Sequence, residues 1–322
     1  MKKFAMSLLV LLLCILTWSA VAFATQQLVP VGQVIGLQLQ DDRVVVAAFD
    51  EQLGQNAQRS GLQVGDQILQ VDGKMIKTAE DVRKALDRSN GMVKIRFGRN
   101  GKCMEVQLQP QITTDGPKIG VFLKQGVTGI GTVTWYDPET GKFGTLGHGV
   151  NGSDGALLRM TGGTAYTASV VSVQQGKCGK PGQLCGAVSG AQPVGELKRN
   201  TARGVFGISE EGWQGQAIPV ATAQEIKTGN ASILSTVSGD GVREYSVEIL
   251  KIYPKTRCED KNLVIRITDP ALLEATGGIV QGMSGSPIIQ DGKLIGAVTH
   301  VLVNDPTRGY GIFIENMLDA AS

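Results

Sequence analysis

Two serines, Ser284 and Ser286, lie close together in the short stretch "GMSGSP". A serine hydroxyl is a poor nucleophile unless a neighbouring base accepts its proton, and histidine is the commonest such base. The 322-residue chain contains only two histidines, His148 and His300. These residue types therefore raise the possibility of a hydrolytic site made from one serine and one histidine.

Local sequence favours His148 over His300 and Ser284 over Ser286. His148 stands between two glycines in "LGHGV", which allow the imidazole to project from an exposed corner after a strand. His300 lies inside "IGAVTHVLV", a pattern typical of a buried strand, where a lone histidine is more often a core residue than a base. Ser286 precedes a proline and leads into the strand "PIIQ", so we predict Ser284 as the nucleophile.

The glycines around Ser284 also indicate how a negative charge could be stabilised. A tight turn over residues 282–285 can aim two backbone N–H groups, those of Gly282 and Ser284, at one point. Such a pair forms an oxyanion hole for a tetrahedral intermediate. The alternative is that "GMSGSP" is merely a turn between two strands.

The elements that must position these residues change character along the chain. From about Thr113 onward, short strand-like runs recur between glycine turns, which predicts an all-β barrel or sandwich. Upstream, Asp72-Gly73 is a tight-hairpin signal. Thr78 is a good N-cap with Asp81 at the capping-box position, so "TAEDVRKAL" is predicted to form a helix.

The first 24 residues and the overall charge bound the cellular setting. Two lysines, an apolar run and a small-residue ending at Ala24 predict a signal peptide over residues 1–24, or else an N-terminal membrane anchor. Either reading puts the remaining chain outside the cytoplasm. The net charge of +2 without a long basic run argues against nucleic-acid binding. In the exported part, Cys178 and Cys185 are predicted to form a disulfide rather than a metal site, and no cofactor is predicted.

Residues 30–110 resemble a PDZ domain, through the signature "SGLQVGDQILQVDGK" and the order of strands and helix. In that family a peptide adds a strand to a sheet edge, and a loop of backbone amides holds its terminal carboxylate. The resemblance implies that Ile35, Gly36 and Leu37 form this loop. The alternative is that Ile35 and Leu37 are only core residues of an edge strand.

A second resemblance covers nearly the whole exported chain. "LGHGV" and the long segment from "ITDPALLEATGGIVQGMSGSP" to "GYGIFIENML" are similar to the SpoIVB (S55) peptidase family of endospore-forming bacteria. It implies a mainly β protein, with the PDZ domain followed at residues 113–322 by a trypsin-like double β-barrel. It also implies a catalytic triad of His148, Asp269 and Ser284. The sequence itself offers one rival for the acid, Asp154 in "VNGSDGAL".

The function implied by this family is proteolytic signalling during sporulation. Such a peptidase acts in the space between the forespore and mother-cell membranes, where it cleaves its own N-terminal region and then the extracytoplasmic part of a membrane-bound inhibitor. That inhibitor restrains an intramembrane metalloprotease, which processes the precursor of the late mother-cell sigma factor. The alternatives are a non-catalytic PDZ scaffold with a peptidase-like β domain, and an exported esterase.

Overall fold

The computed structural model describes residues 26–89, 91–152, 155–239, 241–254 and 261–322. The predicted signal peptide or anchor, Asp154 and Cys258 lie outside these residues. Within them, no helix has both the length and the apolar character needed to cross a bilayer.

The described chain begins with β1 (Gln27–Pro30) and β2 (Val34–Asp41). Strand β2 does not lead into its neighbours in sequence. Its residues pair instead with two strands that occur far later, at 127–132 on one edge and 160–167 on the other. The chain between these partners therefore forms an insertion.

That insertion is a complete small domain with its own core. Its elements are β3 (Val44–Phe49), α1 (Gln55–Arg59), β4 (Gln67–Val71), β5 (Lys74–Met75), α2 (Ala79–Leu86), β6 (Val93–Arg99), β7 (Lys102–Leu108), β8 (Gln111–Thr113), β9 (Gly116–Lys118) and β10 (Val121–Lys124). The main sheet has the order β10-β3-β4-β6-β7, with β5 paired to β4, and β8 and β9 form a separate hairpin. Valines, leucines, isoleucines and Phe97 fill the space between this sheet and α2.

Two local predictions in this domain are confirmed. Asp72 and Gly73 both have positive φ (47° and 75°), as a two-residue hairpin between β4 and β5 requires. Thr78 caps α2 by accepting from Asp81 N–H at 3.1 Å, while the Asp81 carboxylate accepts from Thr78 N–H at 2.9 Å. This reciprocal pair is the capping box expected from the sequence.

After the insertion the chain completes a first barrel. Its later strands are β11 (Val127–Tyr136), β12 (Lys142–Thr145), β13 (Met160–Gln174), β14 (Gln183–Thr201) and β15 (Gly204–Ile208), followed by the short β16 (Ile218–Pro219). The pairing order β12-β15-β14-β13-β2-β11 closes through β11 and β12 into six strands. The predicted order, with a domain at 30–110 followed by one at 113–322, is therefore wrong in detail, because residues 34–41 belong to this barrel.

A second barrel of six strands follows, and its pairing order is β17-β18-β19-β22-β21-β20. Its elements are β17 (Gly229–Ser235), β18 (Arg243–Ile252), β19 (Leu263–Ile267), α3 (Pro270–Thr276), β20 (Pro287–Gln290), β21 (Lys293–Leu302), β22 (Asp305–Phe313) and α4 (Ile314–Ala321). Helix α4 buries Ile314 and Met317 in one apolar cluster with Trp135 and Phe206 of the first barrel. The predicted fold class, mainly β with a PDZ domain and a double barrel, is confirmed.

Candidate active site

His148 is turned out of the line of β12 by two residues with left-handed backbone. Leu146 and Gly147 have φ values of 70° and 69°. This conformation is sterically strained for Leu146, because it has a side chain, and unstrained for glycine. A Cβ on Gly147 would lie 2.9 Å from a methyl group of Thr299. The second barrel thus presses against the turn, and the half-buried imidazole projects into a cavity between the barrels.

One hydrogen bond determines which nitrogen of His148 can act as a base. Nδ1 lies 2.9 Å from the carbonyl oxygen of Gly149. A carbonyl oxygen only accepts, so Nδ1 carries the proton and Nε2 keeps its lone pair. This is the tautomer that a general base needs.

Ser284 lies on a turn whose backbone conformation requires glycine on both sides of it. Gly282 and Gly285 have φ values of 99° and 97°, and a Cβ on Gly285 would stand 2.1 Å from the Thr132 carbonyl oxygen. The Ser284 hydroxyl donates to the carbonyl oxygen of Thr299 at 2.7 Å. The hydroxyl is therefore held at the cavity but is not hydrogen-bonded to His148 in this arrangement.

The amides of the same turn divide into two kinds. Met283 N–H donates to Val280 and Gly285 N–H donates to Val298. Within the described part of the chain, the amides of Gly282 and Ser284 have no acceptor. The two amides that we predicted for the oxyanion hole are thus free to bind a negative charge.

Ser286 is buried away from the cavity, whereas His300 lines it. Ser286 is fully buried and donates to the hydroxyl of Ser235 at 3.0 Å, so a substrate cannot reach it. His300, which the sequence placed in a buried strand, is half-buried on β21 and lines the same cavity as His148. The two imidazole rings lie 5.0 Å apart between centroids. No local sequence pattern predicts this contact, because it joins residues of two barrels.

The cavity that contains Ser284 and His148 has a volume of about 520 Å³. Its walls are mainly aliphatic, with side chains from both barrels: Leu37, Leu39, Val127, Ile130, Leu146, Ile279, Val280, Val301 and Val303. Among the described residues that line it there is no Asp, Glu, Lys or Arg. The cavity therefore suits an apolar segment of a substrate. Within the part of the chain that the structure describes, His148 and His300 are the titratable side chains that line it.

Asp269 lies elsewhere, and its carboxylate is engaged in another task. It caps α3, where Oδ1 accepts from Leu272 N–H at 3.0 Å and Oδ2 accepts from Ser246 N–H at 3.4 Å. Burial raises the pKa of the neighbouring Tyr245 phenol, and the charge of Asp269 adds to this effect. Asp269 neither lines the cavity nor hydrogen-bonds His148, so the structure does not assemble the predicted triad.

The predicted PDZ carboxylate loop is also wrong, because Ile35, Gly36 and Leu37 belong to β2. That strand hydrogen-bonds to β11 along one edge and to β13 along the other, which leaves no edge for a peptide. Leu37 instead forms part of the wall of the cavity beside Ser284. Residues that the sequence assigned to the PDZ domain are thus part of the peptidase domain.

Strand β10, at the far end of the insertion, is one of the two edge strands of the PDZ sheet, and β7 is the other. Among the described strands, β10 pairs only with β3. A groove of about 290 Å³ runs between β10 and α2, with Ile119, Gly120 and Leu123 on one side and Val82 and Leu86 on the other. The segment "KIGVFLK" carries the glycine and the apolar alternation that could have identified this strand from the sequence.

The predicted disulfide between Cys178 and Cys185 is not formed. Both cysteines are free and exposed, and the Cys178 thiol donates to the carbonyl oxygen of Asn304 at 3.2 Å. In the described ranges, no cluster of three or more His, Cys, Asp or Glu side chains could hold a metal ion.

Comparison with known families gives two matches. A model described as SpoIVB peptidase S55 matches residues 115–318, and a PDZ domain model matches residues 51–96. The first covers well over half of the chain. The second lies inside the insertion between β2 and β11.

Individual relatives cover less. A Rhizobium meliloti protein whose name describes a zinc metalloprotease is 33% identical over 88 residues, which is 27% of this chain and 22% of that protein. A Staphylococcus aureus protein with a similar name is 41% identical over 58 residues, which is 18% of this chain and 14% of that protein. The chain thus spans less than a quarter of the length of these curated relatives.

Two solved structures are similar to parts of the fold. One is the PDZ domain of an SdrC-like protein of Listeria monocytogenes, with 23% identity, a TM-score of 0.22 and coverage of 26% of this chain and 87% of that one. The other is an inactive form of the Rv3671c protease, with 16% identity, a TM-score of 0.35 and coverage of 60% of this chain and 82% of that one.

Proposed function

This chain belongs to the SpoIVB peptidase S55 family, and on that premise we propose that it is a serine endopeptidase with Ser284 as nucleophile and His148 as general base. The observation that carries the proposal is the content of one cavity. It contains a serine hydroxyl, an imidazole whose Nε2 keeps its lone pair, and two backbone amides that have no acceptor among the described residues. These are the groups that acyl transfer requires.

The proposed reaction begins when the Ser284 hydroxyl leaves the Thr299 carbonyl and turns towards Nε2 of His148. Oγ then attacks the peptide carbonyl while Nε2 takes its proton. The negative charge on the former carbonyl oxygen is stabilised by the amides of Gly282 and Ser284. His148 next gives its proton to the leaving amine, and a water molecule releases the acyl group by the same steps.

The PDZ domain supplies the proposed second site, for peptide ends. A peptide that adds to β10 would form main-chain hydrogen bonds along the free edge and place apolar side chains against α2. The loop before β10, at Ile119 and Gly120, would then meet the terminal carboxylate. Strand β10 ends at Lys124 and β11 begins at Val127, which lines the catalytic cavity, so the two sites are joined by a very short connection.

The biological role that we propose follows from the family. In this proposal the protein is exported to the space between the forespore and mother-cell membranes, and residues 1–24 serve as its signal peptide or as a membrane tether before cleavage. In that space it cleaves its own N-terminal region and the extracytoplasmic part of a membrane-bound inhibitor of an intramembrane metalloprotease. Release of that metalloprotease then allows processing of the late mother-cell sigma factor precursor.

A fluorophosphonate probe tests the catalytic proposal directly. We expect the purified protein and Ser286→Ala to be labelled, and Ser284→Ala to remain unlabelled and to lose peptide cleavage by several orders of magnitude. Labelling of Ser284→Ala at the parental rate would contradict the choice of nucleophile. A folded protein that no probe labels would instead be a PDZ scaffold without activity.

A further inference from the structure

The segment that follows the general base is held by the side chain of Asn200, near the end of β14. Its Oδ1 accepts from Val150 N–H at 2.9 Å. Its Nδ2 donates to the carbonyl oxygens of Val150 at 2.8 Å and of Leu158 at 3.0 Å. One side-chain amide therefore engages both backbone groups of Val150 and ties that residue to Leu158.

Gly149 is confined from the other side by the residue next to Asn200. A Cβ on Gly149 would lie 2.7 Å from the carbonyl oxygen of Thr201 and 2.4 Å from a methyl group of Leu157. The backbone of Gly149 therefore lies directly against the end of β14. Between this contact and the hold on Val150, the peptide unit that carries the Gly149 carbonyl has little freedom to turn.

The direction of that carbonyl matters because it is the hydrogen-bond partner of His148 Nδ1, at 2.9 Å. In a Ser-His-Asp triad, a carboxylate fixes the tautomer of the histidine and stabilises its charged form. Here no carboxylate lines the cavity among the described residues, and Asp269 caps α3. Among the described residues, the Gly149 carbonyl is thus the group that fixes the tautomer.

We propose that Asn200 is a positioning residue for the peptidase reaction, because it holds the Gly149 carbonyl and so keeps His148 in its Nδ1–H tautomer. The inference rests on the proposed role of His148 as general base. Asn200 acts through the backbone and does not touch the substrate. Its loss should therefore lower kcat, whereas KM, which depends on the apolar walls of the cavity, should change little.

Asn200→Ala, compared with Asn230→Ala, provides the kinetic test. Asn230 is an exposed asparagine on β17 in the second barrel, so it controls for the loss of an amide side chain. We expect Asn200→Ala to lower kcat on a short peptide about 10²-fold with KM nearly constant, and Asn230→Ala to match the parent. A parental kcat for folded Asn200→Ala would overturn the proposal.

A spectroscopic test does not depend on how well that variant folds. The chain has only two histidines, so ¹⁵N-histidine NMR resolves His148 once His300 is identified by substitution. In Ser284→Ala protein, which cannot cleave itself, we expect His148 as the Nδ1–H tautomer, and a mixture of tautomers when Asn200→Ala is added. The Nε2–H tautomer with Asn200 intact would overturn the proposal. Absence of probe labelling at Ser284 would refute the proposed function separately, since the tautomer is measured without catalysis.

Discussion

Two five-residue segments of this chain share three residues but have opposite surroundings. "IGLQL" at residues 35–39 lies in β2, and "IGVFL" at residues 119–123 leads into and along β10. The first is enclosed by a strand on each edge, whereas the second has one edge free beside a helix. A short apolar strand with a glycine is therefore not enough to identify a peptide-binding edge. The neighbours that the rest of the chain supplies decide its role.

The two glycines provide the largest contrast. Gly120 has φ +65°, and a Cβ there would lie 2.2 Å from the backbone of Leu53. Gly36 does not have positive φ, and the one close contact of a Cβ there would be a methyl group of Val188, at 2.8 Å, with Tyr166 at an ordinary 3.9 Å. We expect Gly120→Ala to destabilise the PDZ domain by about 3 kcal/mol and Gly36→Ala to cost less than about 1 kcal/mol. Denaturant unfolding in a Ser284→Ala background measures both, and equal losses would contradict the contrast.

A charge placed on each side of the domain junction should separate the two functions. Ile130 and Leu123 are both half-buried strand residues, but Ile130 faces the catalytic cavity and Leu123 faces the groove beside α2. We expect Ile130→Asp to lower kcat/KM for a short peptide at least about tenfold, which is about 1.4 kcal/mol. Leu123→Asp should weaken binding of a peptide with a free carboxyl end by a similar factor.

The crossed measurements are the control for this pair. Fluorophosphonate labelling should be unchanged in Leu123→Asp, because the groove does not contact Ser284. Peptide-end binding should be unchanged in Ile130→Asp, because Ile130 does not line the groove beside α2. If either variant lost both activities while remaining folded, the two sites could not be assigned to separate segments.

Asp269 offers a smaller effect and a sharp distinction. Asn caps helices about as well as Asp, whereas Ala removes the side-chain acceptor at a cost of about 1 kcal/mol. If Asp269 acts as the cap of α3, Asp269→Asn should retain stability and activity, and Asp269→Ala should lose stability. A loss of about 10⁴ in kcat for Asp269→Asn would instead show that Asp269 is the acid of a catalytic triad, since the same change in a Ser-His-Asp triad has that effect.

The smallest expected effect concerns the Glu225–Lys293 ion pair, which lies outside both segments and serves as a reference for the variants above. A hydrogen bond from Lys293, with others from Thr222, lowers the pKa of Glu225 from 4.5 to about 2. Because the pKa of Glu225 is lowered in the folded state, its carboxylate stabilises the fold fully above about pH 4.5. This stabilisation is lost as pH falls towards 2. The pair is exposed and screened, so Lys293→Gln should change acid unfolding only slightly and leave both binding sites unaffected. A large shift of the acid midpoint would contradict this.

Local chemistry carried the successful predictions. The capping box at Thr78, the hairpin at Asp72-Gly73 and the glycine turn at Ser284 each depend on residues within a few positions of one another. His148 lies in the cavity because the adjacent Gly147 allows the backbone to turn there, and the choice of His148 over His300 as the base stays a prediction. Such features follow from backbone sterics and short-range hydrogen bonds, which the sequence encodes directly.

Residue patterns and the family resemblance are enough to predict a mainly β chain with a PDZ domain and a peptidase domain, and to identify the serine and histidine that lie in one cavity. Only the tertiary structure decided that β2 completes the first barrel across an inserted domain, since strand pairing is set by partners more than 80 residues away. It also decided that His300 stands beside His148, that Asp269 caps a helix, and that Asn200 holds the loop after His148. These placements depend on how the barrels close and pack, and no local pattern specifies which edges and side chains closure brings together.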